Sequence, residues 1–99
     1  MKYPKEYLDE IKTRLKVSTV VSRTENLKKR GKEFVGLSPF KTEKTPSFTV
    51  NDDKEFYHCF ATSEHGNIFD FVMKTQNLKF GEAVKFLANL AGMRPYTFS

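Results

Sequence analysis

The chain has 99 residues, a net charge of +5, 38% hydrophobic residues, ten Phe, four Tyr, no Trp and one Cys. That length suits one domain burying about two thirds of its unfolded surface, and a single cysteine excludes an internal disulfide framework, which fits a reducing compartment. No apolar run approaches the roughly 20 residues of a bilayer-spanning helix, and Met1-Lys2-Tyr3-Pro4 leads into a charged stretch instead of a secretory core, so the expected location is cytoplasmic, away from membranes.

Between Pro4 and Lys16 the apolar residues Tyr7, Leu8, Ile11 and Leu15 recur at helical spacing, and Pro4 suits a first turn. An amphipathic helix is expected there. The next stretch, Val17 to Ser22, is β-branched and reads either way. From Thr24 to Phe60 the period changes to that of short strands, expected at Leu27 to Arg30, Lys32 to Leu37, Ser47 to Val50 and Glu55 to Cys59. Gly31 marks a tight hairpin turn and Asn51-Asp52-Asp53-Lys54 a polar four-residue turn. Two helices follow, Asn67 to Gln76 and Phe80 to Ala91, with Gly92 as a stop and their apolar faces on one side of the sheet. Met93 to Ser99 shows no pattern and is expected to begin a linker after a domain spanning 1–92.

Charge is unevenly placed: residues 1–25 carry +2, residues 26–54 carry +3, and the remainder balances. A basic first half points to a polyanion, most simply nucleic acid, although a solvated basic face would give the same count.

The words Tyr57-His58-Cys59-Phe60, Val35-Gly36-Leu37-Ser38-Pro39-Phe40 and Glu43-Lys44-Thr45-Pro46-Ser47-Phe48 closely resemble the N-terminal zinc-binding domain of bacterial DNA primases, over about Leu8 to Gly92. The resemblance implies an α+β fold, a small antiparallel zinc-ribbon-like sheet packed with about four helices. It also turns residues 17–22 into a short helix, with Ser18 as a plausible N-cap. The family usually has Pro where this chain has Gly81, which weakens the start of the last helix and touches no function.

In that family four positions carry Cys, His, Cys and Cys around one structural zinc. By resemblance these positions fall here on Ser38, Lys41, Cys59 and Thr62. Hydroxyls stay protonated at neutral pH and an ammonium repels a dication, so only Cys59 is a competent ligand and zinc is expected to be absent. Side-chain hydrogen bonds from positions 38 and 62 and apolar packing of Cys59 are expected to replace coordination. A rescue site from His58, Cys59, Glu64 and His65 is disfavoured, because strand neighbours point to opposite faces.

Lys28, Lys29, Arg30, Lys32, Lys41, Lys44 and Lys54 are interleaved with Phe34, Phe40, Phe48, Phe56, Tyr57, His58 and Phe60, a mixture of cations and flat rings suited to single strands. Most of those rings are expected in the core. Period two places Phe56, His58 and Phe60 on one face and Tyr57 and Cys59 on the other. By resemblance the domain binds single-stranded template and helps to select the initiation site. The phosphate candidates are Lys28, Lys29, Arg30, Lys32 and Lys54, and the ring candidates Tyr57 and His58.

No clustered carboxylates for metal-assisted phosphoryl transfer and no Gly-rich phosphate loop occur, so no catalytic residue or bound cofactor is assigned. The resemblance implies a longer primase chain. Its partners would be the polymerase domain of the same or a neighbouring chain and, through a C-terminal region absent from this sequence, the replicative helicase. A docking module for the polymerase domain and a stand-alone single-stranded nucleic-acid binder are the alternatives.

Overall fold

The computed structural model describes residues 2–39 and 46–98. In chain order the elements are α1 (Lys5–Arg14), α2 (Val17–Val21), β1 (Leu27–Arg30), β2 (Glu33–Gly36), β3 (Phe48–Asn51), β4 (Phe56–Cys59), β5 (His65–Gly66), α3 (Ile68–Gln76) and α4 (Phe80–Leu90). The strands form one antiparallel sheet in sequential order. Together they make the expected α+β fold.

Local chemistry explains the boundaries. Pro4 is extended (ψ 147°) and stands just before α1 as its N-cap, one position ahead of the first turn, where its carbonyl accepts from Tyr7 and Leu8 N–H. Gly31 adopts φ 64°, which closes the β1–β2 hairpin without a Cβ penalty. At the next turn Asn51 Oδ1 accepts from Lys54 N–H at 2.9 Å. Helix α3 opens with a reciprocal cap: Asn67 Oδ1 accepts from Asp70 N–H at 3.1 Å, and Asp70 Oδ2 accepts from Asn67 N–H at 3.0 Å. A Cβ on Gly66 would collide with the Asp70 side chain, so glycine there admits the cap. Helix α4 lacks the proline expected from the resemblance, and Glu82 Oε1 accepts from Lys79 N–H at 2.9 Å instead.

Period two divides the sheet. Directly opposed residues share a face, so Phe34, Phe48, Val50, Tyr57 and Cys59 lie on one side. Four of these, Phe48, Val50, Tyr57 and Cys59, are fully buried. Against them pack Val17, Val20 and Val21 of α2, Ile68, Phe69, Phe71 and Val72 of α3, and Ala83, Val84 and Leu87 of α4, with Ile11 closing the cluster. The rings of Phe48, Tyr57 and Phe71 meet at centroid distances of 5.5 to 6.1 Å. Each such side chain contributes roughly 1.5–3 kcal/mol on full burial.

Two expectations need correction. Ser18 is not the N-cap of α2: the helix starts two residues earlier, at the buried Val17, with Lys16 at the cap position and Ser18 inside the first turn. Its main-chain N–H and its hydroxyl both donate to the Asp52 carboxylate, at 2.9 and 2.6 Å. The cap therefore comes from the β3–β4 turn, 34 residues away. His65, outside every strand expected from the sequence, forms β5 because its backbone pairs with His58. Residues 93–98 belong to no helix or strand, as expected, yet they pack on the body instead of trailing from it. Tyr96 and Phe98 lie 5.8 and 4.9 Å from Tyr3, and Tyr7 Oη donates to the Arg94 carbonyl at 2.8 Å.

Asp52→Ala removes the cap of α2 and should cost about 1 kcal/mol, read as a fall of roughly 4–8 °C in the thermal midpoint of a domain this size. Asp52→Asn, which keeps one acceptor oxygen, should lose less in the same calorimetric comparison.

Candidate nucleic-acid interface

The sheet face turned away from the helices carries a continuous cross-strand row. Pairing register aligns Lys28 with Val35, Val35 with Thr49, Thr49 with His58 and His58 with His65. Beside it lie Arg30 opposite Glu33 and Phe56 opposite Asn51. None of these side chains is fully buried: Val35, Thr49, Phe56 and His58 are half-buried, while Lys28, Arg30 and His65 are exposed. Neighbouring strands run about 4.8 Å apart, so the five-residue row spans roughly 19 Å.

The row is basic at the β1 edge and aromatic at the β5 edge. The imidazoles of His58 and His65 are parallel, 6.2 Å apart, and Phe60 packs on His58 at 4.4 Å. Nδ1 of His58 is enclosed and has no hydrogen-bond partner among the described residues, so flanking rings fix the orientation of this imidazole. Phe60 is 67% exposed, the most open large apolar side chain among the described residues. Its backbone N–H donates to the Ser47 carbonyl at 2.8 Å, which anchors the ring at the end of β4.

The structure separates the seven candidates. Lys28, Arg30 and His58 share the open face. Lys32 and Lys54 sit in the two turns at one end of the sheet, the end where β1 finishes with Arg30, and both are exposed. Lys29 is opposite Phe34, so it projects from the helix-facing side at the exposed sheet edge. Among the described residues none of the five cations is engaged in an ion pair. Tyr57 must be withdrawn as a stacking ring, because it is 0% exposed between Phe48 and Phe71. Burial, with the charges of Asp70, Glu64 and Cys59 behind it, pushes its phenol well above the ordinary range and keeps it neutral. Phe60, Phe56 and His65 replace it on the open face. Phe60 was recoverable from its shared parity with His58, but parity alone does not say which face is dry.

The other end of the sheet holds the positions that the resemblance assigns to metal ligands. Ser38 and Cys59, 21 residues apart in sequence, meet where β2 and β4 end, with Cys59 Sγ donating to Ser38 Oγ at 3.0 Å. Both are buried, Cys59 completely. Burial pushes the Cys59 thiol up, and hydrogen bonding with the Ser38 and Thr62 side chains and with the Thr62 and Ala61 backbone more than offsets it, leaving the thiol below its ordinary value. The Thr62 hydroxyl also engages Glu64: Oγ1 donates to Glu64 Oε2 at 3.3 Å and accepts from Glu64 N–H at 3.4 Å. Lys41 lies outside the described residues, as do Phe40 and Lys44. The described donor set is one thiol and two hydroxyls, which does not fit the thiolate-and-imidazole tetrahedron of a structural zinc. His58 and Cys59 face opposite sides, and among the described residues no three His, Cys, Asp or Glu side chains are grouped to hold an ion.

Residues 3–97 match the sequence profile of the family described as CHC2 zinc finger. The chain belongs to that family. Its CHC2 domain is 48% identical over 90 residues to the DNA primase of Pseudomonas putida and 42% identical over 94 residues to that of Haemophilus influenzae. These alignments cover 91% and 94% of this chain but 14% and 16% of those primases, so the chain spans about one seventh of the length of the relatives it matches. A solved structure, the Aquifex aeolicus primase with its zinc-binding and RNA polymerase domains, superposes with a TM-score of 0.82 at 30% identity, covering 89% of this chain and 22% of that one. The fold and the family are therefore those implied by the ribbon words of the sequence. No helix among the described residues is long and apolar enough to cross a membrane.

Truncating the two exchanged rings should separate core from surface. Tyr57→Ala is expected to lose about 3–5 kcal/mol of unfolding free energy in urea, whereas Phe60→Ala should stay within roughly 0.5 kcal/mol of the parent.

Proposed function

We propose that this CHC2 domain grips single-stranded template DNA on the open face of its sheet and helps to place the start of primer synthesis for a primase whose polymerase domain lies in the remainder of the protein. The observation that carries this reading is the row from Lys28 through Thr49 and His58 to His65, flanked by Arg30 and the exposed Phe60. Unpaired cations at one edge meet phosphates, and flat rings at the other stack on unpaired bases, a combination that tolerates any sequence because every base has a π-face. Lys32 and Lys54 extend the positive end beyond the sheet. Lys29, on the opposite side, contributes long-range attraction and no direct grip.

The domain acts here as a binding surface, and the chemistry of nucleotide addition belongs to the polymerase domain of the same or a neighbouring chain. Membership in a family shared with bacterial replication primases supports that division of labour and the cytoplasmic setting. Contact with a replicative helicase would involve regions outside this sequence.

Fluorescence anisotropy with a labelled single-stranded oligonucleotide tests the surface. Affinity should fall with salt at a log–log slope of roughly 0.7 per phosphate contact, and Lys28→Glu with Arg30→Glu should reduce that slope by about 1.4. Lys29→Glu should change it less. Phe60→Ala should weaken binding by roughly 1–3 kcal/mol with the slope unchanged. Salt-independent binding, or full affinity in the Lys28/Arg30 double variant, would refute the assignment and leave a protein-docking role for the face.

A further inference from the structure

The end of the sheet opposite the basic turns is where a ribbon of this family would be cross-linked by an ion, and here it is already closed by other means. Cys59 Sγ and Ser38 Oγ form a buried hydrogen bond at 3.0 Å, which joins the ends of β2 and β4. Ser38 is the one polar side chain in the buried set among the described residues. The turn after β4 closes on itself, with Cys59 N–H donating to the Glu64 carbonyl at 2.7 Å and Ser63 N–H donating to the Cys59 carbonyl at 2.8 Å. Thr62 is tied to Glu64, and Glu64 reaches Lys74 of α3 at 3.8 Å, so the turn is also held to the helical layer. Ser38, Cys59 and Thr62, the described members of that frame, each already have a protein partner.

We propose that this CHC2 domain is metal-independent, with a buried Cys59–Ser38 hydrogen bond and a self-closed turn at residues 59–64 in place of a coordinated zinc. The inference rests on the assignment of the ligand frame to positions 38, 41, 59 and 62, and it is separate from the template-binding reading. Several features make it energetically feasible. Structural zinc contributes on the order of 10–16 kcal/mol to small finger peptides that have almost no core of their own. Among the described residues seventeen buried side chains from the sheet and the helices form one hydrophobic cluster, so closure of one sheet end is a local matter and not the condition for folding.

The direct test is elemental analysis of the purified chain, together with its thermal midpoint with and without a chelator. It should be compared with a variant carrying Ser38→Cys, Lys41→His and Thr62→Cys. The parent should hold well under one zinc per chain and show the same midpoint in both buffers. The triple variant should take up one zinc per chain, give a thiolate–metal absorption band with cobalt, and lose stability when chelated. A third protein, Ser38→Ala, should melt about 4–8 °C lower than the parent, the shift expected from one lost hydrogen bond in a domain of this size, again without chelator dependence. Stoichiometric zinc in the parent, or a parent midpoint that drops on chelation, would overturn the proposal. A triple variant that folds without binding zinc would overturn the frame assignment on which it rests, and the parent measurements remain decisive if that variant does not fold.

Discussion

Everything in this domain follows from the alternation along β4. Tyr57 and Cys59 go down into the helical layer while Phe56 and His58 stand on the other side, and the paired strands inherit the same division. A slip of one residue would drive an imidazole into the core and expose a tyrosine and a thiol. Register is therefore fixed by burial, and both turns flanking β4 reinforce it. The Asn51 side chain closes one, and the bonds from Cys59 to Glu64 and from Ser63 to Cys59 close the other. The dry face makes the molecule stable, and because stability is secured there the open face can keep cations without partners.

Antiparallel order sends the two ends of the sheet to different tasks. Gly31 and the Asp52–Glu55 turn lie at one end with Arg30, Lys32 and Lys54, whereas Ser38 and the 59–64 turn lie at the other. Acidic residues share that end, Glu33 opposite Arg30 and Asp52, Asp53 and Glu55 in the β3–β4 turn, and among them Asp52 has a separate task. Both of its oxygens are committed to Ser18, so it anchors the sheet to α2 instead of offsetting its neighbours across the open face. Strand-borne charge at one end and packed closure at the other leave the row between them as the surface where both chemistries meet.

The strands were legible to within one or two residues, since β-branched and aromatic runs with glycine and Asn-Asp turns leave few other arrangements. The C-terminal helices were equally plain from their apolar spacing. What escaped were features whose cause lies elsewhere in the chain. His65-Gly66 has no strand propensity of its own and extends only because β4 offers an edge. Asp52 reads as turn chemistry until its distant donors are known. Tyr57 and Phe60 were exchanged as candidates because parity identifies two faces, while the helices decide which of them is covered. The tail looked featureless because the tilted and edge-on packing of Tyr96 on Tyr3 and Tyr7 and of Phe98 on Tyr3 leaves no periodic trace.

That aromatic seam brings residues 3 and 98 within a ring's width of each other, at 4.9 Å. Polypeptide continuing outward from either side would leave from a common spot, beside α1 in the helical layer. A connection at that spot would lie on the helical side, apart from the open face, and would leave the pairing of all five strands undisturbed.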